Sequence, residues 1–477
     1  MIRVAELPSL APSERYGLDL LLDVSRLALV DGVDISCVEL RVVDRGVTDP
    51  ARSPSQCFRS DDGAVEVPRE LLRWTTEIAG AAAEQRSDAR DRYGRVPAEA
   101  TAVVAAGVER RPVVAHAAIA LREAARAAAG ARPFRLLAPW PDGRRWAVAL
   151  THDLDAVEAW PAFTALRLAE LAKKGELRRA TRTVTAALGA IGRDPLHRAA
   201  VDLLDVERRL GVRATWFVLC GTPTLTTMRA GDLTYAADAP AARRILERVC
   251  DGSHEVGLHG SFATMDDGAI FTTQRERLER TLGGGVTGVR QHYLRMRPGS
   301  TQRDMVRAGF RYDSTFGFAD RNGFRLGLAD AVPAWDDGAQ SALPITEVPF
   351  IWMDRALSKY RGIEDPSVWI DDALELARIC RDVNGVWTGV WHPNLAPALG
   401  FPDAPEAYER LVRELLAEAP WVATLGEIVA WRSARRSIRV RAVRPDGSIE
   451  ACTGAGGRDV ARPRLEMADG ASAEEVR

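Results

Sequence analysis

The sequence predicts an α/β protein whose larger part is a TIM-like barrel of seven or eight strands with helices between them. From Trp146 onward, short apolar segments alternate with helical segments, which is the pattern of a parallel sheet or barrel. We predict strands at residues 146–150, 214–219, 255–258, 288–291, 310–313, 347–350, 385–391 and 421–424. We predict helices at residues 200–210, 241–249, 273–282, 367–383 and 404–417.

The length of 477 residues exceeds what one ordinary hydrophobic core holds, so we expect more than one domain. A segment rich in turn residues, with Pro139, Pro141 and Gly143, marks a boundary before the barrel. The predicted divisions are an N-terminal α/β accessory domain at 1–131, a linker at 132–145, the barrel at 146–434 with a helical insert at 156–212, and a small C-terminal β appendix with a polar tail at 435–477.

Composition narrows the function classes. The hydrophobic fraction of 46% and the charged fraction of 27% are typical of a globular protein. The net charge of −2 gives no general attraction to nucleic acid or to an anionic membrane, so we expect no nucleic acid as a partner, while peripheral association with the inner face of a membrane stays open. Six widely spaced cysteines indicate free thiols rather than a disulfide framework. Neither an N-terminal signal core nor an apolar run of membrane-spanning length is visible, which predicts a cytoplasmic protein without a transmembrane segment.

The first barrel strand ends in a polar cluster, Thr151-His-Asp-Leu-Asp155. Side chains alternate along a strand, so Asp153 and Asp155 project to the same side. Two adjacent carboxylates repel each other unless a cation or a proton lies between them, which indicates a metal. The alternative is that one or both cap the following helix.

Histidines gather at the same predicted strands. Five of the seven histidines lie in or beside strands, four of them near C-terminal ends, where barrel enzymes place their chemistry: His152, His254, His259, His292 and His392. Packing does not explain such clustering, and histidine with carboxylate is the ligand combination of a hydrolytic metal site. The other two, His116 and His197, are interpreted as helical residues without a role in the site.

Five short motifs then occur in order along the barrel, and together they resemble the polysaccharide deacetylase family, the NodB-homology domain of carbohydrate esterase family 4. The motifs are Thr151-His-Asp-Leu-Asp155, His254-Glu-Val-Gly-Leu-His259-Gly-Ser, Arg290-Gln-His-Tyr293, Tyr312-Asp-Ser-Thr315 and Val390-Trp-His-Pro393. The resemblance covers roughly residues 146–430 and implies a distorted (β/α) barrel, a divalent metal, most often zinc, and removal of an acetyl group from a sugar.

The resemblance also implies roles for individual residues. Asp153 would be the general base, Arg290 would hold it in place, and His392 would be the general acid. Asp155 and His259 would be metal ligands, and the Tyr293 backbone N–H would bind the oxyanion. By analogy with the fourth motif, Asp313 would support His392. Trp391 is a candidate for stacking on a sugar, although an aromatic residue in a strand is more often part of the core.

The third metal ligand is open, because Ala263 stands where the family has a second histidine of its His-x-x-x-His motif. His254 lies five residues before His259, about 16 Å away along an extended strand, so we interpret it as structural. His152 points to the opposite face from Asp153 unless the strand has already ended. His292 follows Arg290 by two residues and can face the same side, so we predict Asp155, His259 and His292 as the metal ligands.

These observations predict a hydrolase of non-peptide carbon–nitrogen bonds, a deacetylase of an N-acetylated sugar or glycoconjugate precursor. One alternative is an amidohydrolase acting on a non-sugar amide. Another is a non-catalytic descendant of the fold that binds glycan or regulates a partner. The N-terminal domain is expected to select the substrate or to form a homo-oligomer.

Overall fold

The computed structural model describes the chain except for 5–8, 31–36, 133, 159–161, 190–193, 226–231, 233, 444–448, 453–463, 468–473 and 476–477. The strands are β1 Ile2–Val4, β2 Leu29–Val30, β3 Val38–Val43, β4 Arg59–Asp61, β5 Ala64–Pro68, β6 Arg135–Leu137, β7 Ala147–Leu154, β8 Ala214–Leu219, β9 Glu255–Gly260, β10 Gly288–Gln291, β11 Tyr312–Asp313, β12 Val332–Asp336, β13 Ser341–Glu347, β14 Trp352–Met353, β15 Val386–Val390, β16 Trp421–Val422, β17 Arg439–Val443, β18 Ile449–Cys452, β19 Arg464–Met467 and β20 Glu474–Glu475.

Helices lie between most of these strands. The α-helices are α1 Pro12–Ser25, α2 Arg69–Ala79, α3 Ala82–Arg86, α4 Ala102–Ala105, α5 Val113–Ala129, α6 Ala162–Lys173, α7 Leu177–Gly189, α8 Pro195–Leu210, α9 Pro240–Asp251, α10 Ala269–Leu282, α11 Ser300–Arg307, α12 Pro366–Asp382, α13 Ala404–Ala417 and α14 Leu425–Arg436. A π-helical turn, Ala356–Tyr360, follows β14. Across the described residues, every helix is too short or too polar to cross a bilayer.

The central sheet is a curled, distorted TIM-like barrel, which confirms the predicted fold class. Its strand order is β12-β13-β11-β10-β9-β8-β7-β15-β14, with β16 also paired to β7. All of these pairs are parallel except β12–β13. The path has two ends, at β12 and β14, so the sheet curls without the regular closure of an ideal barrel.

Continuous apolar sequence explains why these strands form the centre. Every residue of β7, β8 and β15 is buried, as expected for a parallel sheet covered on both faces. The structure extends β7 to Leu154, four residues beyond the predicted end at Leu150. Asp153 is therefore part of the strand, and its side chain is held within the barrel rather than in the following loop.

The helical insert forms α6, α7 and α8. Helix α8 begins with Pro195 at its first turn, and the Asp194 side chain accepts hydrogen bonds from the backbone N–H of Leu196 and His197. It ends at Gly211, whose φ of 67° closes the helix in the left-handed conformation. Glu207 of α8 lies 2.7 Å from His152 Nε2, which ties the insert to β7.

The N-terminal part forms its own sheet, and the C-terminal strands join it. The order is β18-β17-β2-β1-β3-β5-β4, with β17 parallel to β2. Strand β6, within the predicted linker, pairs with β19. The C-terminal β appendix therefore exists as strands, and two of them extend the N-terminal sheet, while the domain boundaries themselves stay a prediction.

Candidate active site

Adjacent parallel strands bring the predicted site residues to one edge of the barrel. In the register of the sheet, Asp153 on β7 pairs with Phe217 on β8, and Leu219 pairs with His259 on β9. His259 in turn pairs with Arg290 on β10. These positions lie at the C-terminal ends of the strands, where side chains from neighbouring strands converge.

Asp155, His259 and His292 form a group that could hold a metal ion. One ligand atom from each lies within 4.8 Å of the others. The Nε2 atoms of His259 and His292 lie 3.3 and 3.5 Å from Asp155 Oδ1. Two imidazoles and one carboxylate are a ligand set typical of catalytic zinc.

Hydrogen bonds on the far side of each imidazole fit this group to a metal. His259 Nδ1 lies 2.9 Å from the backbone oxygen of Arg290, and His292 Nδ1 lies 3.2 Å from Asp232 Oδ1. Both contacts favour the proton on Nδ1 and leave the Nε2 lone pair facing Asp155. Asp155 Oδ1 is buried and has no hydrogen-bond partner among the described residues, as expected of an atom reserved for a cation.

Arg290 and Asp153 form a buried ion pair beside this group. Arg290 Nη1 donates to Asp153 Oδ1 at 2.8 Å and to Thr151 Oγ1 at 2.8 Å. The guanidinium also donates to the backbone and side-chain oxygens of Ser314, which fixes its plane. Burial opposes ionisation of Asp153, but the charges of Arg290 and of neighbouring imidazoles outweigh it and lower the pKa of this carboxyl.

His392 faces Asp153 from the opposite side. Its Nε2 lies 3.9 Å from Asp153 Oδ2 and 3.8 Å from Asp155 Oδ2. Asp354 holds it, because one carboxylate oxygen lies 2.6 Å from His392 Nδ1 and the other accepts the His392 backbone N–H at 2.6 Å. Burial alone would lower the pKa of His392, but the Asp354 carboxylate and its hydrogen bond raise it.

Residues from the N-terminal part of the chain contact the turn that carries Tyr293. This residue adopts φ 59°, ψ 13°, a left-handed conformation that is unfavourable for a bulky side chain. Arg95 donates to the Tyr293 backbone oxygen at 2.7 Å, and the Tyr93 ring stacks on the Tyr293 ring at 5.1 Å. The contacts of Arg95 and Tyr93 therefore stabilise the turn that carries Tyr293.

The metal-ligand group, the Asp153 carboxylate and His392 line one cavity of about 240 Å³. Asp153, Asp155, His259, His292 and His392 form its floor, and Tyr293, Arg95, Arg355 and Lys359 are among the residues around them. A second cavity of about 370 Å³ shares Ala156, Arg355, Lys359 and Asn394 with the first. The site thus continues from the barrel end toward the helical insert.

Two predicted substrate-binding residues lie outside this cavity, which corrects their interpretation. Trp391 is 2% exposed and packs against Trp352, Trp369 and Tyr408, so it belongs to the aromatic core. Asp313 is fully buried and bonds to Thr315, while Asp354 contacts His392. The family analogy pointed to the wrong aspartate because Asp313 lies on β11, at a distance along the sheet from the strand that carries His392.

The remaining histidines of the strands are structural. His152 is completely buried, and its two ring nitrogens lie 2.7 Å from the Trp391 backbone oxygen and from Glu207 Oε1. His254 Nδ1 accepts the backbone N–H of Ala214. Both contacts face away from the metal ligands, in line with the alternation along a strand.

Sequence reasoning missed Asp232 and Asp354. Asp354 follows β14 directly, so the rule that barrel chemistry lies at C-terminal strand ends would have found it had that two-residue strand been predicted. Asp232 lies in a loop between β8 and α9, and the sequence there carries no pattern that places it near His292.

No family model and no curated protein matches the sequence. Solved structures similar to this chain include a protein of Mycobacterium smegmatis described as a polysaccharide deacetylase, at 23% identity and a TM-score of 0.42, covering 64% of this chain and 96% of that one. PuuE allantoinase is similar at 13% identity and 0.40, covering 63% and 94%. The chitin deacetylase of Colletotrichum lindemuthianum is similar at 15% and 0.33, covering 64% and 91%.

Proposed function

We propose that this chain is a metal-dependent hydrolase that removes the acetyl group from an N-acetylated sugar or glycoconjugate precursor. One observation supports it above the rest: a buried carboxylate–arginine pair and a buried carboxylate–histidine pair lie next to each other and next to a group of three metal-ligand side chains. The Nε2 atom of His392 lies within 4 Å of the nearer oxygens of Asp153 and Asp155. A base, an acid and a metal group at this spacing serve hydrolysis of an amide.

Asp155, His259 and His292 would hold the divalent metal, most often zinc for such a ligand set. When bound, this ion makes a water acidic and polarises a carbonyl oxygen. The chain's own contribution is to keep the ligands deprotonated and oriented. The hydrogen bonds of the two imidazoles with the Arg290 backbone oxygen and with Asp232 provide that orientation.

Asp153 acts as the general base. It accepts a proton from the attacking water while the water oxygen forms a bond to the acetyl carbon. Arg290 keeps this carboxylate ionised and fixed at 2.8 Å, so the base is ready at neutral pH. Tyr293 borders the cavity, and its backbone N–H is the group we assign to the developing negative charge on the acetyl oxygen.

His392 acts as the general acid. Its Nδ1 is engaged by Asp354, so the transferable proton is on Nε2, the nitrogen nearest Asp153. When the carbon–nitrogen bond breaks, His392 gives this proton to the leaving nitrogen, which an amine requires at neutral pH. The products are acetate and a free amino sugar, and the proton taken by Asp153 restores His392.

The test combines metal content with turnover. Purified protein is loaded with zinc, dialysed and analysed for metal, and acetate release is measured on a panel of N-acetylated sugars, with hydrolysis of allantoin measured in parallel. We expect about one equivalent of metal and acetate release from a sugar. Asp153→Asn is expected to retain the metal and to lose turnover by at least about a hundredfold, the usual contribution of a general base.

The matched control is Asp238→Asn, which removes an exposed carboxylate paired with Arg277 on the outer surface. It should change neither metal content nor turnover. A wild-type protein without metal and without turnover on any compound would contradict the proposal in favour of a binding protein. Turnover of allantoin alone would replace the sugar by a non-sugar amide.

A further inference from the structure

Two basic side chains, Arg355 and Lys359, lie where the two cavities meet. Arg355 and Lys359 line both cavities, and neither forms an ion pair with a carboxylate of the described residues. Arg355 precedes the π-helical turn Ala356–Tyr360, and Lys359 lies four residues further on, so the two side chains extend from the same side of that turn. Isolated π-turns of this kind occur frequently at functional sites.

Neighbouring basic residues of the second cavity are neutralised. On the helical insert, Arg167 and Lys174 pair with Glu170, and both also approach Glu364, at 3.3 and 3.8 Å. Arg179 of the insert pairs with the same Glu364. Arg355 and Lys359 share a cavity with these groups, yet within the described part of the chain neither pairs with a carboxylate. Lys359 Nζ lies 5.8 Å from the ring centroids of Tyr293 and Tyr360, which leaves its charge available to an anionic ligand.

The surroundings add positive charge rather than remove it. Desolvation by the surrounding protein lowers the pKa of Lys359, and the guanidiniums of Arg355, Arg92 and Arg95 lower it further. Asp155, the acidic group that opposes them, is the residue assigned to the metal. Three guanidinium groups therefore repel the Lys359 ammonium, and Asp155, the carboxylate that attracts it, is assigned to the metal. An anion bound near Lys359 would reduce this repulsion.

A polar side chain at the same wall is also unsatisfied. The side-chain oxygen of Asn394, which lines both cavities, is buried and has no hydrogen-bond partner among the described residues. It is positioned to accept a hydrogen bond from a hydroxyl of a sugar that extends from one cavity into the other. The second cavity, about 370 Å³, has room for a further group attached to the anion.

We propose, on the basis of the proposed function, that Arg355 and Lys359 bind a phosphoryl group of the substrate, so that the acetylated sugar is a phosphorylated one. A guanidinium gives two parallel hydrogen bonds to phosphoryl oxygens, and an ammonium adds a point charge. The acetyl group then lies at the metal ligands in the first cavity, and the substituent on the phosphoryl group occupies the second.

Calorimetric binding to the zinc-loaded full chain tests this without relying on turnover. The probes are N-acetylglucosamine, N-acetylglucosamine 1-phosphate, UDP-N-acetylglucosamine and a farnesyl-diphosphate-linked N-acetylglucosamine. Wild type should bind N-acetylglucosamine 1-phosphate at least about tenfold more tightly than the unphosphorylated sugar, as expected for charge-assisted hydrogen bonds. Further tightening by the uridine or by the farnesyl group identifies the source of the phosphoryl group.

The variants locate the binding. Arg355→Gln with Lys359→Gln should abolish the preference, whereas Arg355→Lys with Lys359→Arg should retain most of it. Arg182→Gln, which removes an exposed charge paired with Asp403 on the insert, is the control and should bind as wild type does. A preference unaffected by the double glutamine variant would overturn the proposal, as would a wild type without any preference.

The proposal of a phosphoryl site and the proposal of a hydrolase can be contradicted independently of each other. Acetate release and metal content that persist in a protein without phosphoryl preference contradict the substrate class alone. A phosphoryl preference in a protein that holds no metal and releases no acetate contradicts the hydrolase and leaves the anion site intact.

Discussion

His292 Nδ1 lies 3.2 Å from Asp232 Oδ1, and the other ring nitrogen of His292 lies 3.5 Å from Asp155 Oδ1. Asp232 also accepts the backbone N–H of Phe262, so its carboxylate is fixed before it orients the imidazole. This arrangement holds His292, which directly follows β10, beside Asp155 and His259. The carboxylate–histidine pair is the support that metal-binding imidazoles require.

Replacing His292 therefore tests the metal group directly. In His292→Ala we expect most of the bound metal to be lost, and in Asp232→Asn we expect metal affinity to fall about 10- to 100-fold, as for other residues that orient a metal ligand. Elemental analysis after dialysis against graded chelator measures both. His197→Ala, on the insert helix, is the control, and full metal content in His292→Ala would exclude that residue as a ligand.

The pH dependence of turnover reports on Asp354. Because Asp354 raises the pKa of His392, the acid form of this histidine persists to higher pH than it would alone. Activity should fall as pH rises through that pKa. In Asp354→Asn the negative charge that raises the pKa of His392 is removed, so this pKa should fall. The alkaline limb of the kcat profile should therefore move to lower pH, and the maximal kcat should decrease.

A profile of kcat against pH for the two proteins measures this shift. Glu375→Gln, which removes an exposed carboxylate paired with Arg110, controls for general destabilisation. An alkaline limb at the same pH in wild type and Asp354→Asn would show that His392 is not the group that titrates.

Sequence alone predicted the barrel because its strands are continuous apolar runs buried on both faces. It also predicted the cluster of Asp153, Asp155, His259 and His292, because alternation and strand ends are local properties that the sequence shows directly. Asp354 and Asp232 were not predicted, because Asp354 follows a two-residue strand and Asp232 lies in a loop. Trp391 was ambiguous because a strand tryptophan serves a core and a sugar site equally well in sequence.

The pairing of β17 with β2 was invisible for a related reason. Alternation after residue 435 predicts strands, but it does not specify the sheet that accepts them. The N-terminal contribution to the site, through Tyr93 and Arg95, is equally non-local. It depends on contacts roughly 200 residues apart in sequence, which no periodicity records.

Arg95 should matter for turnover although it precedes the barrel strands in the sequence. Arg95→Gln removes the donor to the Tyr293 backbone oxygen and loosens a turn held at positive φ. We expect kcat to fall about tenfold with unchanged metal content, since the ligands do not touch Arg95. Steady-state kinetics beside Arg90→Gln, an exposed arginine of the same segment, measures this, and an unaltered kcat would mean that the turn needs no support.

The free energy of unfolding should depend on pH through the buried pair of Asp313 and Glu347. Burial raises the pKa of both, that of Asp313 to about 6, and the neighbouring Asp313 carboxyl raises that of Glu347 further. Asp313 Oδ2 and Glu347 Oε2 have no hydrogen-bond partner among the described residues. The folded state therefore holds a proton that the unfolded chain releases at lower pH.

The direction of the pH dependence is set by these raised pKa values. The stabilisation is complete below the unfolded pKa of the two carboxyls, about 4, and is lost as pH rises from there through the folded pKa of Asp313, about 6, and the raised pKa of Glu347. In Glu347→Gln one of the two titrating carboxyls is replaced by an amide that can donate to Asp313 at every pH, so the loss between about pH 5 and about pH 9 should be smaller by on the order of 1–2 kcal/mol. Urea unfolding at about pH 5 and about pH 9 measures it, with the exposed Glu276→Gln as control. Parallel pH dependence in wild type and Glu347→Gln would show that Glu347 does not titrate with a raised pKa in the folded protein.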